Sequence, residues 1–112
     1  MKKIEAIIRE EKLDAVREAL EEDSYFGITV SEVCGHGRQG GYTLQWRVGE
    51  YHVDLLPKVK LEVVILDEDV PRIVHTIRTA ARTGDIGDGK IFVLPVEDAV
   101  RIRTGDAGND AI

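Results

Sequence analysis

The stretch Pro57-Lys58-Val59-Lys60-Leu61-Glu62-Val63-Val64-Ile65 decides the fold. Val59, Leu61, Val63 and Ile65 fall on one side of it, and Lys58, Lys60 and Glu62 on the other. A period of two is the mark of a strand with one apolar and one wet face. Directly afterwards the period changes. A helix is expected from near Asp69, with Pro71 in its first turn and Val70, Ile73, Val74, Ile77 and Ala81 on one apolar stripe. Gly84 is its expected stop.

The same alternation of periods recurs upstream. Ile4, Ala6 and Ile8 alternate with Lys3, Glu5 and Arg9, which predicts a first strand. From Glu10 to Glu22, Leu13, Val16 and Leu20 make the stripe of an amphipathic helix, which Gly27 breaks. A second, β-branched strand runs from Ile28 to Cys34 and ends at the glycine cluster Gly35, Gly37, Gly40 and Gly41. Tyr42 to Leu56 has no clear period and reads as a long excursion, either a mobile loop or a flexible hairpin, of a length more often functional than ornamental. A fourth strand is expected over Ile91 to Val96 and a short fifth over Val100 to Arg103, before a frayed polar tail, Thr104 to Ile112. The order is β-α-β-β-α-β, an α+β fold of the ferredoxin-like kind with both helices on one face of an antiparallel sheet.

Composition agrees with a single domain. The chain has 112 residues, 43% of them hydrophobic, enough for one two-layer core. Its net charge of -6, from 21 acidic against 15 basic residues, argues against nucleic acid as a partner, since a phosphate backbone needs a basic face. No apolar run reaches the roughly 18 residues of a membrane span, and the charged start leads into a strand pattern, so a cytoplasmic location is expected. Cys34 is the only cysteine, which excludes an internal disulfide, and with His36, His52 and His75 it makes no zinc-like cluster. Cys34 is expected to be a small packed residue and His75 a surface one.

Two glycine motifs invite a phosphate reading. Gly35-His36-Gly37-Arg38-Gln39-Gly40 fits G-x-G-x-x-G, but Tyr42-Thr43-Leu44-Gln45-Trp46 is a poor helix start, and a dinucleotide site needs a helix N-terminus there. Gly84-Asp85-Ile86-Gly87-Asp88-Gly89-Lys90 fits G-x-x-x-x-G-K. However, Ile91 follows in place of a magnesium-binding Ser or Thr, and the motif runs from helix to strand, the reverse of a P-loop. Two readings of this segment stay open: an amide nest for an anion with Lys90 at its edge, or a helix cap followed by a tight turn. Arg101 and Arg103, at i and i+2 on an extended segment, would point both guanidiniums the same way; the bland alternative is a solvated edge strand. Lys58 and Glu62 share a strand face and would pair across it. No Ser-His-Asp or Cys-His signature is present, so a nucleotide-hydrolysing enzyme, the runner-up class, would need a metal-bound water near Asp88 or Glu62.

Taken in order, Gly35 to Gly41, Glu50 to Glu62, Thr83 to Val93 and Val100 to Gly105 resemble the PII signal-transduction proteins of nitrogen metabolism, over nearly the whole chain. The resemblance implies a regulatory protein, not an enzyme: a homotrimer with ATP or ADP in the clefts between subunits and a mobile T-loop over about residues 37–56. It implies nucleotide contacts from Thr29, Gly37, Arg38, Gln39, Glu62, Val64, Thr83, Gly87, Asp88, Gly89 and Lys90, with Arg101 and Arg103 reaching the phosphates. It further implies 2-oxoglutarate held by Gln39, Lys58 and Gly87, and a magnesium ion bridging it to ATP with Gln39 as a ligand. Arg47 matches the arginine that enters an ammonium transporter, and Tyr51 the tyrosine that some members carry uridylylated; a glutamine synthetase-type enzyme is the other expected partner. Gly40 stands where the family usually has lysine, removing a positive charge near the oxo acid. His36 and Trp46 replace a common phenylalanine and tyrosine.

Overall fold

The computed structural model describes residues 1–25, 27–36, 42–46, 49–53 and 55–112, with 42–46 and 49–53 given as backbone. The elements are β1 (Lys2–Ile8), α1 (Leu13–Glu22), β2 (Ile28–Gly35), β3 (Tyr42–Trp46), β4 (Gly49–Val53), β5 (Leu56–Ile65), α2 (Val70–Ala81) and β6 (Lys90–Pro95). Short 3-10 turns at Glu10–Lys12 and Asp67–Asp69 lead into the helices. Four strands form one antiparallel sheet in the order β2-β5-β1-β6, the ferredoxin-like arrangement. The excursion after β2 contains a second, two-stranded sheet of β3 and β4, so the hairpin alternative is the one realised.

Register explains the core. Ile4, Ala6 and Ile8 on β1 sit opposite Val63, Leu61 and Val59 on β5, and all six are buried. The helices cover this face with Val16 and Leu20 from α1 and Ile73, Ile77 and Ala81 from α2, the i, i+4, i+8 stripe that a helix must turn inward. The other face carries half-buried charge. Glu5 and Glu62 lie directly opposite each other, an arrangement that repels on its own. Lys3 and Lys60 bracket them, at 3.5 and 3.4 Å from Glu62 and each 3.9 Å from Glu5.

Four expectations need correction here. Helix α2 ends at Ala81, and Arg82 is already extended, so Gly84 does not stop it; its φ of 98° shapes the turn that follows. Val100 to Arg103 is not a fifth strand. A lone bridge joins Val100 to Ala107, and residues 102–104 turn back on themselves because the Gly105 N–H donates to the Arg101 carbonyl at 2.7 Å. The tail beyond Thr104 is also more ordered than its polarity suggested. The Thr104 hydroxyl and Asp98 carboxylate cap it, and Gly108–Ala111 makes a 3-10 turn. Cys34 is exposed at the end of the edge strand rather than packed, whereas His75 lies on the surface as expected. Among the described residues, no helix is long and apolar enough to cross a membrane.

Candidate functional site

The turn from α2 to β6, residues 82–89, is the most tightly organised loop. Its hub is Asp88, whose carboxylate accepts from the Thr83 hydroxyl, from the Thr83 N–H at 3.0 Å and from the Gly84 N–H at 2.9 Å. Arg9, just past the end of β1, adds a fourth donor through Nε at 3.1 Å, and its Nη2 donates to the Ile86 carbonyl at 2.8 Å. These donors, led by the Thr83 hydroxyl and the Gly84 amide, hold the Asp88 carboxyl far below the usual carboxylate range. Lys58 on β5 donates to the Gly87 carbonyl at 2.8 Å. Burial, and then the nearby Arg9 charge, lower the Lys58 pKa.

Glycine is required at one point above all. Gly89 has a φ of 97°, and a Cβ there would lie 1.7 Å from the Ile7 carbonyl oxygen. Gly84 and Gly87 are left-handed as well, at 98° and 105°. Successive amides in such a turn curl into a concave, anion-binding surface. The loop borders a cleft of about 700 Å³ whose walls include Gly35, His36, Leu56, Lys58, Gly87 and Lys90. The turn is clasped internally by Asp88, while Gly87, Gly89 and Lys58 line a cleft.

A second cleft, of about 710 Å³, collects Thr29, Glu62 and Val64 with Lys3, Tyr25 and Arg72. Thr29 and Glu62 are register partners across β2 and β5. Of the expected nucleotide residues, Gly87, Asp88, Gly89 and Lys90 line the first cleft, and Thr29, Glu62 and Val64 the second. One chain does not join them in a single cleft: Lys58 and Glu62 are four positions apart on β5, about 13 Å at the usual strand rise.

Other expected residues are placed differently. Glu62 pairs with Lys3 and Lys60 instead of Lys58. Arg101 is tied at 3.4 Å to Asp106, and with residues 102–104 in a turn the argument that Arg101 and Arg103 share an extended face fails. Arg103 is exposed. Gly37, Arg38, Gln39, Gly40 and Arg47 lie outside the described residues, and Tyr51 is given as backbone, opposite Leu44 in the β3–β4 hairpin. Sequence reading missed Arg9, which looked like one more polar residue on a strand's wet face. It also missed Asp23, Tyr25, Asp69 and Arg72, which only the fold brings together.

The hydrolytic alternative loses its chemistry in this geometry. A carboxylate that already accepts four hydrogen bonds is a poor base, and the Glu62 carboxylate is shared by two lysines.

Comparison with known proteins gives one answer. The family model described as nitrogen regulatory protein P-II matches residues 1–106. The chain is 62% identical to the nitrogen regulatory protein P-II of Azospirillum brasilense and 60% identical to that of Rhizobium meliloti, in each case over all of both chains. It is 55% identical to nitrogen regulatory protein P-II 2 of Methanothermobacter thermautotrophicus, over all of this chain and 97% of the relative. Among solved structures, Arabidopsis thaliana PII bound to citrate superposes with a TM-score of 0.82 at 40% identity, covering 99% of this chain and 91% of the other. With the ferredoxin-like sheet, the glycine turn and full-length similarity all in agreement, the chain belongs to the nitrogen regulatory P-II family, whose members are regulators and not enzymes.

Proposed function

We propose that this P-II protein senses ATP and ADP and, in the presence of magnesium and ATP, 2-oxoglutarate, and that it reports the occupied state to a target through residues 37–56. The observation that carries the reading is the pair of half-sites. The glycine turn with Lys58 and Lys90 suits phosphate and carboxylate oxygens, whereas Thr29, Glu62 and Val64 suit the uncharged end of a nucleotide, and the two lie in separate clefts of one chain. A nucleotide that uses both needs a second copy, which supports a homotrimer with ligand between neighbours. Arg101 and Arg103 then serve phosphates, Arg101 by exchanging Asp106 for the ligand.

Lys58 pairs with a carboxylate of 2-oxoglutarate beside the Gly87 backbone, and the citrate on the Arabidopsis relative is a polycarboxylate of the same class. Magnesium, when bound, would be held from the protein side by Gln39 and would supply positive charge against the anions. A ligand moves a loop only by binding its conformers unequally, and a coupling of about 1–3 kcal/mol is enough for a switch. The target is an ammonium transporter engaged through Arg47 at the membrane, or a glutamine synthetase-type enzyme, in the cytoplasm; Tyr51 matches the tyrosine that some family members carry uridylylated.

Calorimetric titration tests this. ATP and ADP should each bind, and 2-oxoglutarate should bind only with ATP and magnesium present. Binding of 2-oxoglutarate that is equally tight without ATP, or no binding of ATP, overturns the reading.

A further inference from the structure

The connection from α1 to β2 is fastened to the start of α2 by a side-chain network separate from the one at the glycine turn. The Tyr25 hydroxyl donates to the Asp69 carboxylate, and the Thr76 hydroxyl to that of Asp23. Arg72 spans both acids, 3.2 Å from Asp23 and 3.3 Å from Asp69, and its guanidinium lies 5.7 Å from the centre of the Tyr25 ring. The backbone takes part: the Ser24 and Tyr25 amides close onto the Glu21 and Leu20 carbonyls at 2.9 Å each. Ser24 itself sits at a φ of 67°, a left-handed conformation that a residue with a Cβ rarely adopts without being held.

Position gives this network its meaning. Tyr25 precedes β2 by three residues, and the second residue of β2 is Thr29, paired with Glu62. Asp23, Tyr25, Asp69 and Arg72 all line the cleft that holds Thr29 and Glu62. The charges of that cleft are matched among themselves, Lys3 with Glu62 and Arg72 with Asp23 and Asp69. A phosphate entering here would meet three carboxylates whose cations are already engaged, whereas hydroxyls and an amine would meet acceptors.

We propose that Asp23, Tyr25, Asp69 and Arg72 form a latch that sets where β2 begins, making them positioning residues for recognition of the base and sugar of a nucleotide, as distinct from its phosphates. The inference rests on the nucleotide reading above and adds to it the residues that tune the nucleoside end. Bidentate geometry is needed, because one guanidinium serves two acids on different elements. Tyr25 remains a donor across the working pH range: burial, and then its bond to Asp69, push its pKa up to about 12.

The test compares ATP with inorganic tripolyphosphate by calorimetry on the full chain. Tyr25→Phe keeps the ring and removes the hydroxyl bond, and it should weaken ATP about tenfold, the low end of the net loss of one hydrogen bond to a charged group, with tripolyphosphate unchanged. Arg72→Lys keeps the charge but cannot bridge both acids, and it should behave the same way. Thr76→Val, a milder change that touches only Asp23, should move ATP in the same direction by a smaller factor. If ATP and tripolyphosphate weaken together, the network is merely structural and the latch is overturned; unchanged ATP affinity in the folded variants overturns it too. A wild-type chain that binds tripolyphosphate as tightly as ATP overturns the nucleotide reading itself, and the latch with it.

Discussion

The two clefts are built from different materials. Around residues 83–89 the shape is set by the backbone: left-handed glycines, carbonyls held by Arg9 and Lys58, and amides closed onto Asp88. Around Thr29 and Glu62 it is set by side chains, with one arginine, one tyrosine and several carboxylates satisfying each other. A site shaped by left-handed backbone fails first when a Cβ is added. A side-chain-built site does the reverse, since each partner removed leaves another unpaired.

The sharpest way to break the first cleft is therefore Gly89→Ala. The new methyl would fall on the Ile7 carbonyl, a backbone atom of a central strand that has no rotamer to yield, and the residue would still need a φ of 97°. The expected cost is about 3 kcal/mol, at the upper end for overpacking, together with loss of anion binding. Thermal melting and titration with tripolyphosphate check it. A variant that melts like the wild type would mean that the close approach of Gly89 to β1 does not exist in solution.

Arg9→Ala comes next, because Arg9 reaches the loop from outside it. The variant loses the bonds to Asp88 and to the Ile86 carbonyl, and anion affinity should drop about tenfold, the loss of charge-assisted hydrogen bonds. Unlike Tyr25→Phe, it should weaken ATP and tripolyphosphate alike; a selective effect on ATP would erase the contrast between the clefts. Acid should not imitate the variant near neutrality. The folded Asp88 carboxyl is held below its unfolded value of about 3.9, so its stabilisation is complete above that pH and is lost only as pH falls through the folded value.

The legibility of the sequence follows the same division. Alternation over Val59 to Ile65 and the stripe over Val70 to Ala81 reveal sheet and helices because burial imposes its period on every residue of an element. The glycine turn was visible as well, since left-handed backbone restricts residue choice locally. What stayed hidden depends on long-range partners: Arg9 is 79 positions from Asp88, and Tyr25 is 44 from Asp69. The false fifth strand has the opposite cause. Val100 and Ile102 alternate with Arg101 and Arg103, but Val100 and Ile102 are exposed, so no buried face enforces the extended form and the turn closed by Gly105 prevails.

Lys58 gives the finest test of how the phosphate-side cleft is tuned, because its charge is set by its surroundings. Burial and the Arg9 guanidinium lower its pKa, so in the folded chain it loses its proton below the ordinary lysine value of about 10.4. Two consequences have opposite signs. Between the folded value and about 10.4 the unfolded chain binds more protons, so the stability of the ligand-free protein rises with pH across that window. Over the same window the cleft loses a positive charge, so the affinity for an anion falls, and binding takes up protons. Arg9→Gln removes the second of the two causes and should move the midpoint of the affinity loss towards higher pH. Calorimetry in buffers of different ionisation enthalpy, with tripolyphosphate and 2-oxoglutarate as probes, reads the proton uptake directly. An unchanged midpoint in Arg9→Gln would show that burial alone sets the charge of Lys58, and that Arg9 acts on this cleft only through the loop it holds.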